Sequence, residues 1–425
     1  MARRGAAHGA ALPPGPHAPA ALQTVAWVVR PTDLLRRCAA RYGEPFTLRT
    51  LWADAPMVLV SDPETVQRIY AAPPEQLHGG ASSEVLAPFV GARSILLLDG
   101  EPHRRARKLV LPAFHGERMA AHRATIAALA AAEVARWPSG GRLRTLPRMQ
   151  ELTLDLILRV VLGKPDPALR TALRAALDET ASTGRLIALS LAPRGAPPWR
   201  RLRRAVVRAD VELARVLAAH RPQDPPVVLD DLLAAGADGA ELRDQVVTLL
   251  AAGHETTAGA LAWALERLAR HPTVAERLRE DDDAYLDAVV REVLRTRPVL
   301  SITPRRVAAP FALPGGWSLP PGVHVAPCPY LAHRRPELWP DPTRFAPERF
   351  LTGAPAPYAW LPFGGGARRC AGAAFAAMEL REVLRAVVAR VSLAPDRTGG
   401  ERMRRRGVTL APTRGGRVII QRIHP

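Results

Sequence analysis

One cysteine in this chain stands apart from the other two. Cys370 closes the run Phe363-Gly364-Gly365-Gly366-Ala367-Arg368-Arg369-Cys370-Ala371-Gly372, with a glycine loop and two arginines before it and an apolar helical stretch, Ala371–Ala389, after it. Helix-end amides and nearby guanidinium groups favour thiolate over thiol, and the thiolate is the form that binds metals. A thiolate presented this way can be an axial ligand to iron, pushing electron density onto the metal and favouring O–O cleavage. The glycines allow the backbone to come close to a flat macrocycle, because they carry no Cβ. Cys38 and Cys328 have no such setting and read as buried structural thiols.

Other residues could serve the same chemistry. Ala252-Gly253-His254-Glu255-Thr256-Thr257 lies in the middle of a long helical pattern, where glycine costs about 1 kcal/mol relative to alanine, so something other than helix stability should explain it. His254-Glu255 also begins a possible HExxH zinc site, but position 258 is alanine and that reading fails. Glu292 and Arg295 fall on one helix face by their i, i+3 spacing, and Arg349 follows within Phe345-Ala346-Pro347-Glu348-Arg349-Phe350. His103 and Arg107 share a face by i, i+4 spacing in the segment Asp99–Lys108.

Taken together these pieces resemble the cytochrome P450 family, with Phe363, Gly366, Arg368, Cys370 and Gly372 in register with its cysteine-ligand signature. The resemblance runs from about residue 30 to 423 and includes Ala332-His333-Arg334 and Trp339-Pro340-Asp341-Pro342. It implies a haem b (iron protoporphyrin IX) held by Cys370, and Glu292, Arg295 and Arg349 bracing the cysteine loop. It implies Glu255 relaying protons and Thr256 hydrogen-bonding the oxygen or its water. It also implies haem carboxylates bound by His103, Arg107, Arg368 and Arg306, although Arg305 stands beside Arg306 and the register between them is open. Many members of the family carry tryptophan where this chain has His103, which keeps a ring N–H donor.

The implied reaction inserts one atom of O2 into an apolar small molecule. The sequence has no GxGxxG after a strand and no GxxxxGK[ST], so the electrons are expected from a ferredoxin and its NAD(P)H-dependent reductase. Substrate contacts are expected from Val85, Leu86, Phe89 and Val90, from a mid-chain loop at Leu186–Leu191, and from Val299–Thr303. A peroxide-using or rearranging enzyme of the same fold is the alternative in chemistry.

The elements that must position these residues are mostly helices. From about residue 100 to 297 the pattern is helical, interrupted by Pro and Gly clusters at Trp137–Gly141, Gly163–Pro167, Ala192–Pro198 and Arg221–Pro226. Asp238–Arg270 is the longest periodic stretch, with Asp238 and Glu241 at capping-box spacing. Phe46–Leu51 and Met57–Val60 read as strands, Ser61-Asp62-Pro63 as a helix start, and the segment around Arg414–Gly416 as a hairpin. The expected fold is mainly α with a small β-rich lobe (α+β), the cytochrome P450 fold. A loose Ala/Pro-rich tail is expected over residues 1–20, ahead of a single domain over 21–425.

Composition limits the partners. The chain has 59 Lys+Arg against 40 Asp+Glu, a net charge of +19, yet only Lys108 and Lys164 are lysines. The arginines are spread through the helices, which argues against nucleic-acid binding; a helical polyanion-binding protein is the remote alternative. Three scattered cysteines without a CxxC pair fit a reducing, cytoplasmic setting. No apolar run is long enough for a signal h-region or a membrane span.

Overall fold

The computed structural model describes residues 12–114, 117–280 and 282–423. Its spine is the helix Gly239–Arg270, 32 residues long and therefore about 48 Å from end to end. From Leu242 to Ala269 it buries residues on nearly every side, as an internal helix does and a surface helix does not. Thr145–Leu162, Ala373–Arg390 and Asp283–Thr296 pack around it. Thr145–Leu162 buries twelve residues, among them Leu152, Leu156 and Ile157. Helices end at Ala135, Leu162, Leu191 and Ala218, at the Pro and Gly clusters that break the sequence pattern.

The helix starts divide into one expectation met and one not. Asp62 caps Pro63–Ala71 by accepting the Thr65 N–H at 2.8 Å, with Pro63 in the first turn where it forfeits no hydrogen bond. Asp238 has extended dihedrals but makes no side-chain cap on the long helix. Glu241, its expected capping-box partner, instead accepts from Arg105 at 3.2 Å.

The strands gather into small sheets. Phe46–Leu48 pairs antiparallel with Met57–Val60, which runs parallel to His324–Pro327; Arg305–Val307 and Leu77–His78 complete five strands. The expected hairpin at Arg414–Gly416 does not form. Thr409–Pro412 pairs backwards with Met403–Arg406, and Arg417–Ile423 becomes the centre of another sheet, between Gly141–Arg144 and Val391–Pro395. The glycine-containing turn that makes the hairpin is Gly407, with φ 56°, one turn earlier in the chain.

The tail expected over residues 1–20 is shorter than that within the described residues. Thr47 donates its N–H to the Pro14 carbonyl at 2.9 Å and its hydroxyl to Pro13 at 2.6 Å, and Gln23 donates to Ala18 at 2.7 Å. Residues 12–19 are thus laid against the strand lobe, and a helix begins at Ala20. Residues 1–11 of that expectation lie outside the described residues. No helix among the described residues is long and apolar enough to cross a membrane.

Candidate active site

The cysteine loop is shaped by its neighbours. Gly364 and Gly366 have φ of 66° and 63°, the left-handed region that side chains with a Cβ avoid. A Cβ on Gly365 would strike the Tyr70 ring, and one on Gly366 would strike the Tyr70 carbonyl. Two of the three glycines are therefore explained by close packing on the Pro63–Ala71 helix, a neighbour the sequence did not reveal. The Cys370 N–H donates to the Phe363 carbonyl at 2.9 Å, closing the loop, and the helix Ala373–Arg390 starts three residues on.

Cys370 is exposed, whereas Cys38 and Cys328 are buried. Protein nevertheless crowds it: burial pushes its thiol up, and the Gly372 N–H, Arg107 and Arg369 pull it down without prevailing. This corrects the expectation that the arginines and helix-end amides alone would favour thiolate. A side chain both crowded and exposed lines a hollow. A thiol held up in this way is ionised outright when its sulfur coordinates a metal.

The long central helix, which packs on Ala373–Arg390, carries an exposed stripe of its own. Ala252 is exposed in the middle of the long helix, with Leu249 and Thr256 partly exposed on the same stripe and buried residues on the others. Thr256 turns its hydroxyl back to the Ala252 carbonyl at 2.6 Å, a bond that competes with the helix ladder while the helix continues unbroken. Gly253 has a plain packing reason: a Cβ there would come within 2.8 Å of Ile157 Cδ1.

Glu255, one residue before Thr256, points elsewhere. It accepts from Arg406 Nε at 2.6 Å and from Gln150 Nε2 at 2.8 Å. Burial pushes its carboxyl up although Arg406 pulls it down. Successive helix residues are about 100° apart, so the structure does not bring Glu255 and Thr256 together as a bonded pair. His254 is buried, bonded to Thr153 at 2.8 Å, and held neutral, its pKa lowered by burial to about 3.

A cluster of basic side chains lies beside the cysteine. His103 is buried, and burial together with Arg368, Arg107 and Arg305 lowers its pKa to about 4. Burial lowers Arg305 to about 10, and its guanidinium lies 5.5 Å from the Tyr70 ring. Arg368 pairs with Asp99 at 2.6 Å. Burial would raise that carboxyl, yet the Gly80 N–H and Arg368 bring it below its ordinary value. Arg306 is not part of the cluster: it pairs with the exposed Asp54 at 2.6 Å. Consecutive strand residues point to opposite faces, so with Arg305 inward Arg306 faces out, and Arg305 is the member of the pair that joins the cluster.

The brace beneath the loop is complete. Glu292 and Arg295 have no exposed side-chain surface and bond in parallel at 2.6 and 2.7 Å. Glu292 also accepts from Arg349 Nε at 3.3 Å and from the Ala346 N–H at 2.9 Å. The remaining N–H groups of Arg295 go to the carbonyls of His333, Pro342 and Arg344. His333 is neutral, its pKa lowered to about 3 by burial. Its Nε2 accepts from the Leu361 N–H at 2.8 Å, so its Nδ1–H donates to the Arg295 carbonyl at 3.1 Å. The ion pair is thereby tied to Leu361, two residues before Phe363, and Trp360 stacks edgewise on Phe363 at 6.1 Å.

Among sequence matches, the cytochrome P450 family model covers residues 13–418. The chain belongs to the cytochrome P450 family. It is an oxidoreductase of the monooxygenase kind, and its cofactor is haem b. Cytochrome P450 135B1 of Mycobacterium tuberculosis is 40% identical over 96% of this chain and 91% of its own, and cytochrome P450 138 of the same organism is 37% identical over 97% and 96%. Among solved structures, the retinoic acid-bound cyanobacterial CYP120A1 matches with a TM-score of 0.84 at 23% identity, over 98% of this chain and all of that one. CYP175A1 from Thermus thermophilus matches at 0.76 and 28% identity, over 93% and 95%.

The residues present suit that cofactor. The exposed sulfur stands with three guanidinium groups, Arg107, Arg305 and Arg368, and the neutral ring of His103, while Asp99 is the acid the described residues set among them; this is a surplus that two carboxylates would answer. A separate cleft of about 310 Å³, lined by Glu133, Arg136, Arg148, Glu151, Asp155 and Arg170, offers no such surplus because its charges pair with one another.

One acid escaped the sequence reading. Glu379, on the helix Ala373–Arg390, is buried, hydrogen-bonded to Thr257, and without a partner for Oε1. Burial pushes it up to about 8, so it is mainly protonated at neutral pH. The available signal was a lone carboxyl on the apolar face that holds Phe375, Met378 and Val383.

Proposed function

We propose that Cys370 is the haem thiolate ligand and that the enzyme inserts one atom of O2 into an apolar small molecule, drawing electrons from a ferredoxin and its NAD(P)H-dependent reductase. The observation that carries this is the exposed sulfur of Cys370 in a crowded setting, just before the helix that packs on the long central helix with its exposed stripe at Ala252 and Thr256. Haem, when bound, supplies the oxygen and redox chemistry.

The chain's own groups supply position and protons. His103, Arg107, Arg305 and Arg368 would hold the haem carboxylates, while Phe363, Gly366 and Gly372 shape the loop around the sulfur. Glu292, Arg295 and Arg349 keep that loop from shifting. Thr256 presents a hydroxyl to the notch and can exchange its Ala252 carbonyl for another acceptor. Glu255 can move a proton toward Thr256 only by leaving Arg406 and Gln150. Substrate would lie among the apolar groups of the Val299–Thr303 segment and the wall near Phe89, where a cavity of about 40 Å³ is lined by Phe89, Leu154, Leu173, Val247 and Leu250. The expected loop at Leu186–Leu191 is instead the helix Thr183–Leu191, with Leu186 and Leu189 in the core. Exposed Arg369, next to the cysteine, and exposed Lys108, next to Arg107, suit an acidic electron carrier.

The engagement of Glu255 away from Thr256 favours the second reading, a peroxide-using or rearranging enzyme. Turnover with peroxide alone, compared with a reconstituted ferredoxin system, separates the two. The test of the main reading is the absorption spectrum of reduced protein under carbon monoxide. Wild type should show a red-shifted thiolate-type band and Cys370→Ser should lose it; a haem-loaded wild type without that band ends the proposal.

A further inference from the structure

Arg405 carries a charge that no carboxylate among the described residues neutralises. Its side chain is buried, burial alone lowers it to about 9, and its Nε has no hydrogen-bond partner. Its bonds go to neutral acceptors and are long, to the Val408 carbonyl at 3.4 Å and to Ser301 Oγ at 3.2 Å. The guanidinium lies 4.0 Å from the Trp27 ring. A cation–π contact of that kind offsets only part of the cost of burying an ion.

Its place in the fold is beside the Val299–Thr303 segment. Arg406, the next residue on the strand Met403–Arg406, faces the other way to bond Glu255, while the Leu410 N–H of the paired strand donates to the Val299 carbonyl at 2.7 Å and lays this hairpin along that segment. Ser301 opens the segment to Thr303, whose hydroxyl bonds Tyr70 at 2.7 Å and whose methyl would lie 3.9 Å from a Cβ on Gly364 of the cysteine loop. Two residues of extended chain, about 7 Å, separate the Arg405 contact from the Thr303 contact. Val299 and Ile302, both partly buried and apolar, flank that path.

We propose that Arg405 anchors the acidic end of the substrate, which is an apolar molecule bearing a carboxylate. The inference rests on the haem-thiolate reading for its choice of cavity. The unfilled Nε edge is the one that, with the neighbouring Nη nitrogen, grips a carboxylate through two parallel bonds. Binding would exchange two long contacts to neutral groups for short charge-assisted ones, while Trp27 keeps the guanidinium plane in place. The hydrocarbon would then extend along Val299 and Ile302 toward Ala252.

The test is calorimetric titration of the haem-loaded enzyme with dodecanoate, dodecanol and methyl dodecanoate, which share a chain and differ in charge. Dodecanoate should bind at least about tenfold more tightly than either neutral probe, the lower end for hydrogen bonds to a charged group. Arg405→Met should remove that preference by weakening the acid alone, and Arg405→Lys should retain part of it. Equal binding of the three probes, no heat with dodecanoate, or an undiminished preference in Arg405→Met overturns the proposal. If Arg405→Met does not fold, the comparison of probes on wild type decides. The carbon monoxide spectrum of the same preparation reports separately on the haem-thiolate reading, so a normal thiolate band with no acid preference sinks only the inference.

Discussion

Two buried arginines, Arg295 and Arg405, show how differently the floor and the wall of this site are built. Arg295 fills every N–H it has, two on Glu292 and three on backbone carbonyls. Arg405 has an empty Nε and no acid. Glu379 repeats the second pattern, with an orphaned Oε1 beside Thr257. A saturated buried network fixes geometry, because any displacement breaks several strong bonds together. Unfilled polar atoms cost stability and persist where something else is to be bound or moved. The floor under the cysteine loop is scaffold; the unfilled atoms at Arg405 and Glu379 are, on the proposal made above, left for ligand and protons.

The contrast breaks first at the floor. Arg295→Ala leaves Glu292 buried with its bidentate partner gone and should cost about 3–5 kcal/mol, read as a lower urea midpoint, with loss of bound haem. If stability falls by less than about 1 kcal/mol, the floor is not the rigid member of the pair.

At the wall, Glu379 gives a pH-dependent signature. Its folded pKa is raised above its unfolded one, so the folded state holds the proton more tightly and stability is greatest below the unfolded value of 4.5. Stability then falls as pH rises from there to about 8, and levels off above it. Glu379→Gln should remove this slope, on the order of a few kcal/mol across the window, measured by urea unfolding at several pH values. Parallel pH profiles for wild type and variant would show that Glu379 has an unseen partner.

Arg305 and Arg306 sharpen the comparison by a single residue. Arg305→Ala removes one of three guanidinium groups and should speed haem loss to an acceptor apoprotein by about tenfold. Arg306→Ala breaks an exposed pair with Asp54 and should leave that rate unchanged. The reverse result would return the haem contact to Arg306.

This pair also marks how far the sequence could be read. Spacings along one helix are rigid, so His103 with Arg107, Glu292 with Arg295, and the long central helix were legible. In a strand a shift of one position turns a side chain to the other face, and no local signal distinguished Arg305 from Arg306. The misplaced hairpin has a related cause: the partners of Arg417–Ile423 are Gly141–Arg144 and Val391–Pro395, and pairing over such distances leaves little trace in a neighbouring turn. Arg405 and Glu379 were invisible for another reason. An unpaired charge is defined by what fails to surround it, and only the packed structure shows that.

The smallest expected effect concerns Gly253, where packing and helix propensity oppose each other. Alanine at this position would gain about 1 kcal/mol of helix propensity. Its Cβ would meet Ile157 Cδ1 at 2.8 Å, and the relief of such overpacking costs about 1–3 kcal/mol. Gly253→Ala should therefore be neutral to mildly destabilising, and the double variant Gly253→Ala with Ile157→Val, which withdraws the clashing methyl, should recover stability relative to the single one. Recovery in thermal melts would assign the glycine to the packing of two helices. Absence of recovery, together with an altered carbon monoxide spectrum in Gly253→Ala, would move Gly253 from the scaffold to the wall of the hollow, where the notch at Ala252 begins.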